Sequence, residues 1–185
     1  IGNTRGKIAV FEKDTLREVF VFKKEEIVFE IKKIIKKFSI SSTIVSSVAN
    51  LSVKTVTEIT RLLNPIFLNS KIKVPFLNKY ETPKTLGVDR IALAAAATDK
   101  YPNNNVLVID AGTCITFDFI NSKKEYLGGD ISLGLAMRYK ALHDYTSKLP
   151  LLKKEEISNF VGTNTNSSIH SGVVNGVCNE IEGVI

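Results

Sequence analysis

The chain has 185 residues, 44% hydrophobic and 24% charged, which is globular composition and sets aside disorder and low-complexity architecture. Its longest uninterrupted apolar run, Ile91 to Ala97, is far short of the ~20 residues of a membrane span, and no signal-peptide pattern opens the chain. With only Cys114 and Cys178, no disulfide framework or structural zinc domain is expected, and a reducing cytosol is the natural setting.

The balance of 25 Lys+Arg against 19 Asp+Glu leaves a net charge of +6. An excess of that sign fits an anionic partner, but here it concentrates on one helix. Lys32, Lys33, Lys36 and Lys37 share one side of that helix, and Ile31, Ile34, Ile35 and Phe38 fill the other. No Trp is present and no aromatic residues interleave with these lysines to stack on bases. The reading is a solvated face, with neither nucleic acid nor membrane as partner.

In chain order, Ile8–Phe11 and Leu16–Phe22 read as strands turning near Lys13-Asp14, and Glu25–Phe38 as the amphipathic helix. Ile44–Val48 is a short strand. Val53, Val56, Ile59, Leu62 and Leu63 keep helical spacing until Asn64-Pro65, and Ile66–Leu68 is an edge strand. A loop with Pro75 and Pro83 leads through Leu86-Gly87 into a helix starting around Asp89-Arg90-Ile91 and ending near Tyr101-Pro102. After the linker Asn103-Asn104-Asn105, Val106–Ile109 is continuously apolar, as a strand covered on both faces is. In the next strand Ile115, Phe117 and Phe119 alternate with Thr116 and Asp118, which predicts a half-buried strand with the polar pair outward. Tyr126–Ile131 forms a third strand, and Leu135–Ser147 and Ser167–Ile185 form helices. Both halves begin strand, Gly-Thr turn, strand, a weak internal repeat. The opening at Ile1 without a methionine, and a last helix without a stop signal, read as a trimmed chain.

Three turns carry one chemistry: Gly2-Asn3-Thr4, Gly112-Thr113 and Gly162-Thr163-Asn164-Thr165. A glycine lets successive backbone N–H groups converge without a Cβ in the way, and a following Thr or Asn adds a donor, which together suit phosphate. Gly, Asn and Thr are also ordinary turn formers. No G-x-x-x-x-G-K-[ST] pattern occurs and no G-x-G-x-x-G opens a helix, which disfavours P-loop NTPases, Rossmann dehydrogenases and eukaryotic protein kinases. His143 and His170 have no metal-ligand spacing and read as surface or helix-face histidines; Cys114 reads as a small buried residue, and Cys178 has no assigned role.

Taken together, six pieces in order resemble the type III pantothenate kinases, a branch of the actin-like superfamily. They are Ile1-Gly2-Asn3-Thr4, the strand ending Ser46-Ser47-Val48, Tyr80 with Leu86-Gly87-Val88-Asp89-Arg90-Ile91-Ala92, Val108-Ile109-Asp110-Ala111-Gly112-Thr113, Tyr126-Leu127-Gly128-Gly129, and Gly162-Thr163-Asn164-Thr165. The resemblance implies an α/β chain of two actin-like (ribonuclease H-like) domains, residues 1–104 and 105–185, each a mixed sheet with flanking helices, with the nucleotide between them. It implies phosphorylation of pantothenate by ATP with Mg2+, and a cytosolic homodimer with the pantothenate pocket near the interface. Gly2, Asn3, Thr4, Arg5, Gly6 and Lys7 in the first loop, with Gly112 and Thr113 in the second, would bind ATP. Asp110 would help hold a monovalent cation, potassium or ammonium.

By the same resemblance Asp89 is the catalytic base, Arg90 anchors the pantothenate carboxylate, and Tyr80, Gly87, Val88 and Thr165 line the pocket. Read from sequence alone, Asp89 is also a helix-start acid, Arg90 a surface arginine and Asp110 a turn aspartate. Family members carry an aspartate just before the position of Ile1, where it handles the magnesium nucleotide, and often Pro-Gly where this chain has Leu133-Gly134. Two other functions share the fold: a regulatory or accessory binding protein, and another actin-like kinase of a different small hydroxyl compound.

Overall fold

The computed structural model describes residues 1–2, 4–156 and 159–185. Strands β1 (Arg5–Glu12) and β2 (Thr15–Lys23) pair antiparallel, reversing at Lys13 with φ 53°, and both run longer than their apolar cores predict. A short 3-10 turn feeds helix α1 (Ile27–Lys37), which buries Ile27, Ile31 and Ile34. Its four lysines are exposed, and Lys33 and Lys37 pair with Glu30 and Glu18 at 2.8 and 2.5 Å. That is the solvated face expected, whose ion pairs contribute little individually.

Strand β3 (Ile44–Val45) lies parallel to β4 (Ile66–Phe67), with helix α2 (Val53–Leu63) between them in the chain. The hydroxyl of Ser52 caps α2 by accepting the Thr55 N–H at 3.1 Å, and Asn64 ends it at φ 41° ahead of Pro65. Ile1 runs alongside the chain after β3: Val48 N–H donates to its carbonyl at 3.0 Å, and its own nitrogen donates to Ser46 O. One core results, in which Phe22, Ile27, Ile31 and Ile59 are buried against Ile1, Ile8, Val45 and Phe67.

The second sheet has the order β5-β8-β7-β6, from β5 (Leu77–Asn78), β6 (Val106–Ala111), β7 (Cys114–Ile120) and β8 (Glu125–Leu133). Only the β5–β8 pair is parallel. Helix α3 (Val88–Lys100) covers one face, where Ile91, Ala94 and Ala97 meet Ile120, Tyr126, Val106 and Val108. Helices α4 (Leu135–Asp144) and α5 (Thr165–Val184) cover the other, where Val177 and Ile181 meet Ile115, Phe117, Leu107 and Ile109. The continuous apolar run in β6 is thus explained by helices on both faces, although as the last strand in the order it stays half-buried. No described helix is long and apolar enough to cross a membrane.

Three expectations are corrected. Ile115 and Phe117 are buried as the alternation predicts, but Asp118 is fully buried, because α3 brings a counter-charge over its face, and Phe119 is 36% exposed. His170 is buried, with Nδ1 hydrogen-bonded to the Tyr139 hydroxyl at 2.9 Å, whereas His143 is exposed as expected. Cys114 is half-buried, not buried. In addition, Leu68, Phe76, Leu86 and residues of α3 belong to the core on the second sheet, whereas Phe67 belongs to the first core. Strand β5 escapes sequence reading because two residues between prolines carry no period.

Ile59 is completely buried at the centre of the first core. Ile59→Ala should therefore cost about 2–5 kcal/mol, measured by chemical denaturation with an unchanged slope against denaturant.

Candidate functional site

The start of α3 is built around Gly87, its N-cap. Leu86 anchors the turn in the core. Asp89, in the first helical turn, folds its carboxylate back so that Oδ1 accepts the Arg90 N–H at 2.8 Å. A Cβ on residue 87 would stand 2.5 Å from that oxygen, so only glycine leaves the carboxylate this place. Asp89 is exposed, and Oδ2 has no partner among the described residues. The acid therefore supports the helix start with one oxygen and leaves the other free.

Arg90 turns the other way. It is 4% exposed, and its Nε donates to Oδ1 of Asp118 at 2.8 Å. The Tyr126 hydroxyl donates to the same oxygen at 2.5 Å. The Tyr80 ring lies 5.7 Å from the guanidinium carbon and 6.2 Å from the Tyr126 ring. Arg90 is thus not the surface arginine that sequence alone allowed. Burial would lower its pKa, but the charge and hydrogen bond of Asp118 outweigh this and hold it above the ordinary value. Burial, then the bond to Asp118, pushes the Tyr126 hydroxyl well up. Arg90 Nη2 and Asp118 Oδ2 are buried with no partner. An unmatched buried polar atom costs about 1–3 kcal/mol, and more on a charged group. Sequence reading missed Asp118 and Tyr126; the available signal was an acid set among the apolar residues of β7.

In the first turn, Gly2 N–H donates to Arg5 O at 3.0 Å, while Asn3 lies outside the described residues. Thr4, Arg5 and Lys7 are exposed. Gly6 is buried, and a Cβ there would stand 2.3 Å from the Phe22 ring, so its small size serves packing in the hairpin.

The second turn, Asp110 to Thr113, is exposed at the end of β6. Gly134 backs it: its N–H donates to Thr113 O at 3.1 Å, and a Cβ would stand 2.3 Å and 2.4 Å from the carbonyls of Thr113 and Gly112. Asp110 pairs across the strands with Thr116, whose buried Oγ1 lacks a partner. Carboxylate and hydroxyl oxygens of this kind fit a hard cation. Among the described residues no group of three or more His, Cys, Asp or Glu could hold a metal ion. A groove of about 570 Å³ beside Gly112 is lined by Lys140, Lys153 and Lys154.

The third turn works differently. The Thr163 and Asn164 N–H groups donate to the Ser167 hydroxyl at 2.9 and 3.0 Å, and Asn164 Oδ1 accepts the Ser167 N–H at 2.9 Å. These donors are spent on capping α5, so the turn is a helix cap and not a phosphate cradle. Thr165 lines a groove of about 900 Å³ between α4 and α5, on the sheet face opposite α3. Tyr80, Gly87, Val88, Asp89 and Arg90 come together within the chain; Thr165 does not join them.

A family model described as type III pantothenate kinase matches residues 1–185. A type III pantothenate kinase of Flavobacterium johnsoniae is 50% identical over 186 residues, covering 100% of this chain and 76% of that protein. Those of Christiangramia forsetii and of Bacteroides fragilis strain YCH46 are 44% and 40% identical with the same coverage. A crystal structure from Campylobacter jejuni, of a conserved protein assigned to the Baf family of transcriptional activators, aligns with a TM-score of 0.59 at 22% identity. It covers 100% of this chain and 76% of that one, and it supports the fold alone.

Two glycines here should respond differently to alanine. In Gly87→Ala only a side-chain end must move, so the melting temperature should stay within about 2 °C of the parent. In Gly134→Ala two backbone carbonyls must move, which should cost about 1–3 kcal/mol and lower the melting temperature by several degrees. Thermal melts of both variants check this.

Proposed function

The chain belongs to the type III pantothenate kinase family, and we propose that it transfers the γ-phosphate of ATP to pantothenate through the turn that opens α3. The products are ADP and 4′-phosphopantothenate, in the first step of coenzyme A synthesis. The observation that carries this reading is the exposed carboxylate of Asp89 at the start of α3, beside the buried Arg90. In this reading an acceptor hydroxyl on Asp89 would face phosphates held by the glycine turns.

Phosphoryl transfer passes through a loose transition state, so positioning matters more than early deprotonation. Asp89 Oδ2 accepts the hydrogen of the pantothenate hydroxyl, fixes its line of attack, and takes the proton as the new P–O bond forms. The guanidinium of Arg90 holds the carboxylate at the other end of the substrate, with Tyr80, Gly87 and Val88 as the pocket wall. Gly2, Asn3, Thr4, Arg5 and Lys7 with Gly112 and Thr113 bind ATP; Gly6 supports them from inside the hairpin. Magnesium would enter on the nucleotide phosphates, as it usually does, and supply charge neutralisation there. Asp110, with Thr116 opposite, would hold potassium or ammonium, relieving repulsion between that carboxylate and the polyphosphate.

The architecture fits two actin-like halves with the nucleotide between them, their cores parting between Phe67 and Leu68. Thr165 stands across the sheet from Arg90, so it reaches the pocket only in a homodimer, contributed by a second copy. The unpaired thiols of Cys114 and Cys178 suit a cytosolic enzyme.

Asp89→Asn should lower kcat by about 10²–10⁴-fold with little change in pantothenate binding. Arg90→Lys, which loses the planar fork, should mainly raise KM for pantothenate. Steady-state kinetics alongside melting curves check both; a parent-like kcat in Asp89→Asn would remove the base assignment. Rates should also be higher in potassium or ammonium than in choline salts, and equal rates would remove the cation role of Asp110.

A further inference from the structure

Beside the second glycine turn, the chain that follows α4 forms a strap held at both ends. Leu149 and Leu152 pack into the core with Tyr139, Ile169 and Val173, and the Leu149 carbonyl is 2.8 Å from His143 Nδ1. Three residues beyond Leu152, Glu155 comes to 3.8 Å from His170 Nε2. Lys153 and Lys154 lie between these fixed points, exposed, and neither makes an ion pair among the described residues. Both line the groove of about 570 Å³ that opens at Ala111 and Gly112. Its floor is apolar, with Ile115, Leu135 and Val177, and no described Asp or Glu lines it. Lys140, also at the rim, is partly spent on Asp144 at 2.6 Å. Neighbouring ammonium groups with no carboxylate between them repel each other, and a polyanion relieves that repulsion. A cationic rim over an apolar floor fits a ring joined to phosphates better than it fits an uncharged ligand.

We propose that Lys153 and Lys154 are ATP-binding residues: the groove receives the nucleotide beyond the Gly112 turn, and the two ammonium groups neutralise its phosphates. The inference rests on the Gly112–Thr113 turn holding ATP in the proposed reaction. The groove is on the α4 and α5 face of the sheet, opposite α3. The part of ATP that enters it is therefore the nucleoside with its first phosphates, while the terminal phosphate crosses the turn toward the acceptor. The two lysines touch neither reacting oxygen, so they hold ground state and transition state alike. Their loss appears in affinity for ATP and not in kcat. A merely solvated pair of lysines would leave that affinity unchanged.

The test measures the Kd for magnesium ATP by titration calorimetry, then steady-state kinetics, in the intact parent and two double variants. Lys153→Gln with Lys154→Gln removes both charges and should raise Kd and KM for ATP about tenfold, with kcat and KM for pantothenate within about twofold of the parent. Lys153→Arg with Lys154→Arg keeps both charges and should bind ATP within about twofold of the parent. Both positions are exposed, so both variants should melt as the parent does. Parent-like ATP affinity in the glutamine variant would overturn the proposal. Equal losses in the glutamine and arginine variants would overturn it too, since the effect would then not follow charge. A parent that binds ATP but leaves pantothenate unphosphorylated would remove the proposed reaction, and the Kd values would still decide the role of the lysines. A parent that does not bind ATP would overturn both.

Discussion

A guanidinium and a carboxylate sealed between α3 and β7 determine where everything else at the site can stand. Arg90 and Asp118 are 4% and 0% exposed, and neither charge is tolerable there without the other. Removing one partner of such a pair typically costs about 3–5 kcal/mol, because the other charge is left buried and unpaired, so the two must keep their places together. Because consecutive helical residues point about 100° apart, burying Arg90 against the sheet turns Asp89 toward the open side. One electrostatic constraint thus produces two outcomes: a half-satisfied cation within the wall, and an acid at the rim.

The glycine turns show how one local pattern serves different ends. Gly2 precedes the β1–β2 hairpin and is half-buried, whereas Gly112 lies in the exposed turn between β6 and β7. The Gly162 turn has the same residue types, but the Ser167 hydroxyl consumes its N–H groups. Composition of a turn therefore says less than the destination of its donors.

Much of the fold was legible. Apolar periods placed α1 and α2 almost to the residue, and Asn64-Pro65 marked a real end, with Asn64 in the left-handed region that terminates a helix. The pocket turn from Gly87 to Arg90 was legible as a motif, and the structure adds why glycine precedes the acid. What could not be read was tertiary. Alternation in β7 assumes one wet face, and α3 makes both faces dry, so Asp118 came out on the wrong side. His170 is buried by its contact with Tyr139, thirty-one residues away, a separation no window of local pattern spans. The grouping of α3 with the second sheet rests on its packing over β6 and β7, and that of Phe76 on its contact with Tyr126, neither of which leaves a trace in composition.

The central claim is that this chain moves the terminal phosphate of ATP onto the hydroxyl of pantothenate. Incubating purified protein with pantothenate and γ-phosphate-labelled ATP, then identifying the labelled product by mass and fragmentation, tests it most directly. The account predicts one labelled phosphate on the pantothenate 4′ oxygen, in amounts equal to the ADP formed. Label released only as inorganic phosphate, or retained in ATP with pantothenate unchanged, would contradict it.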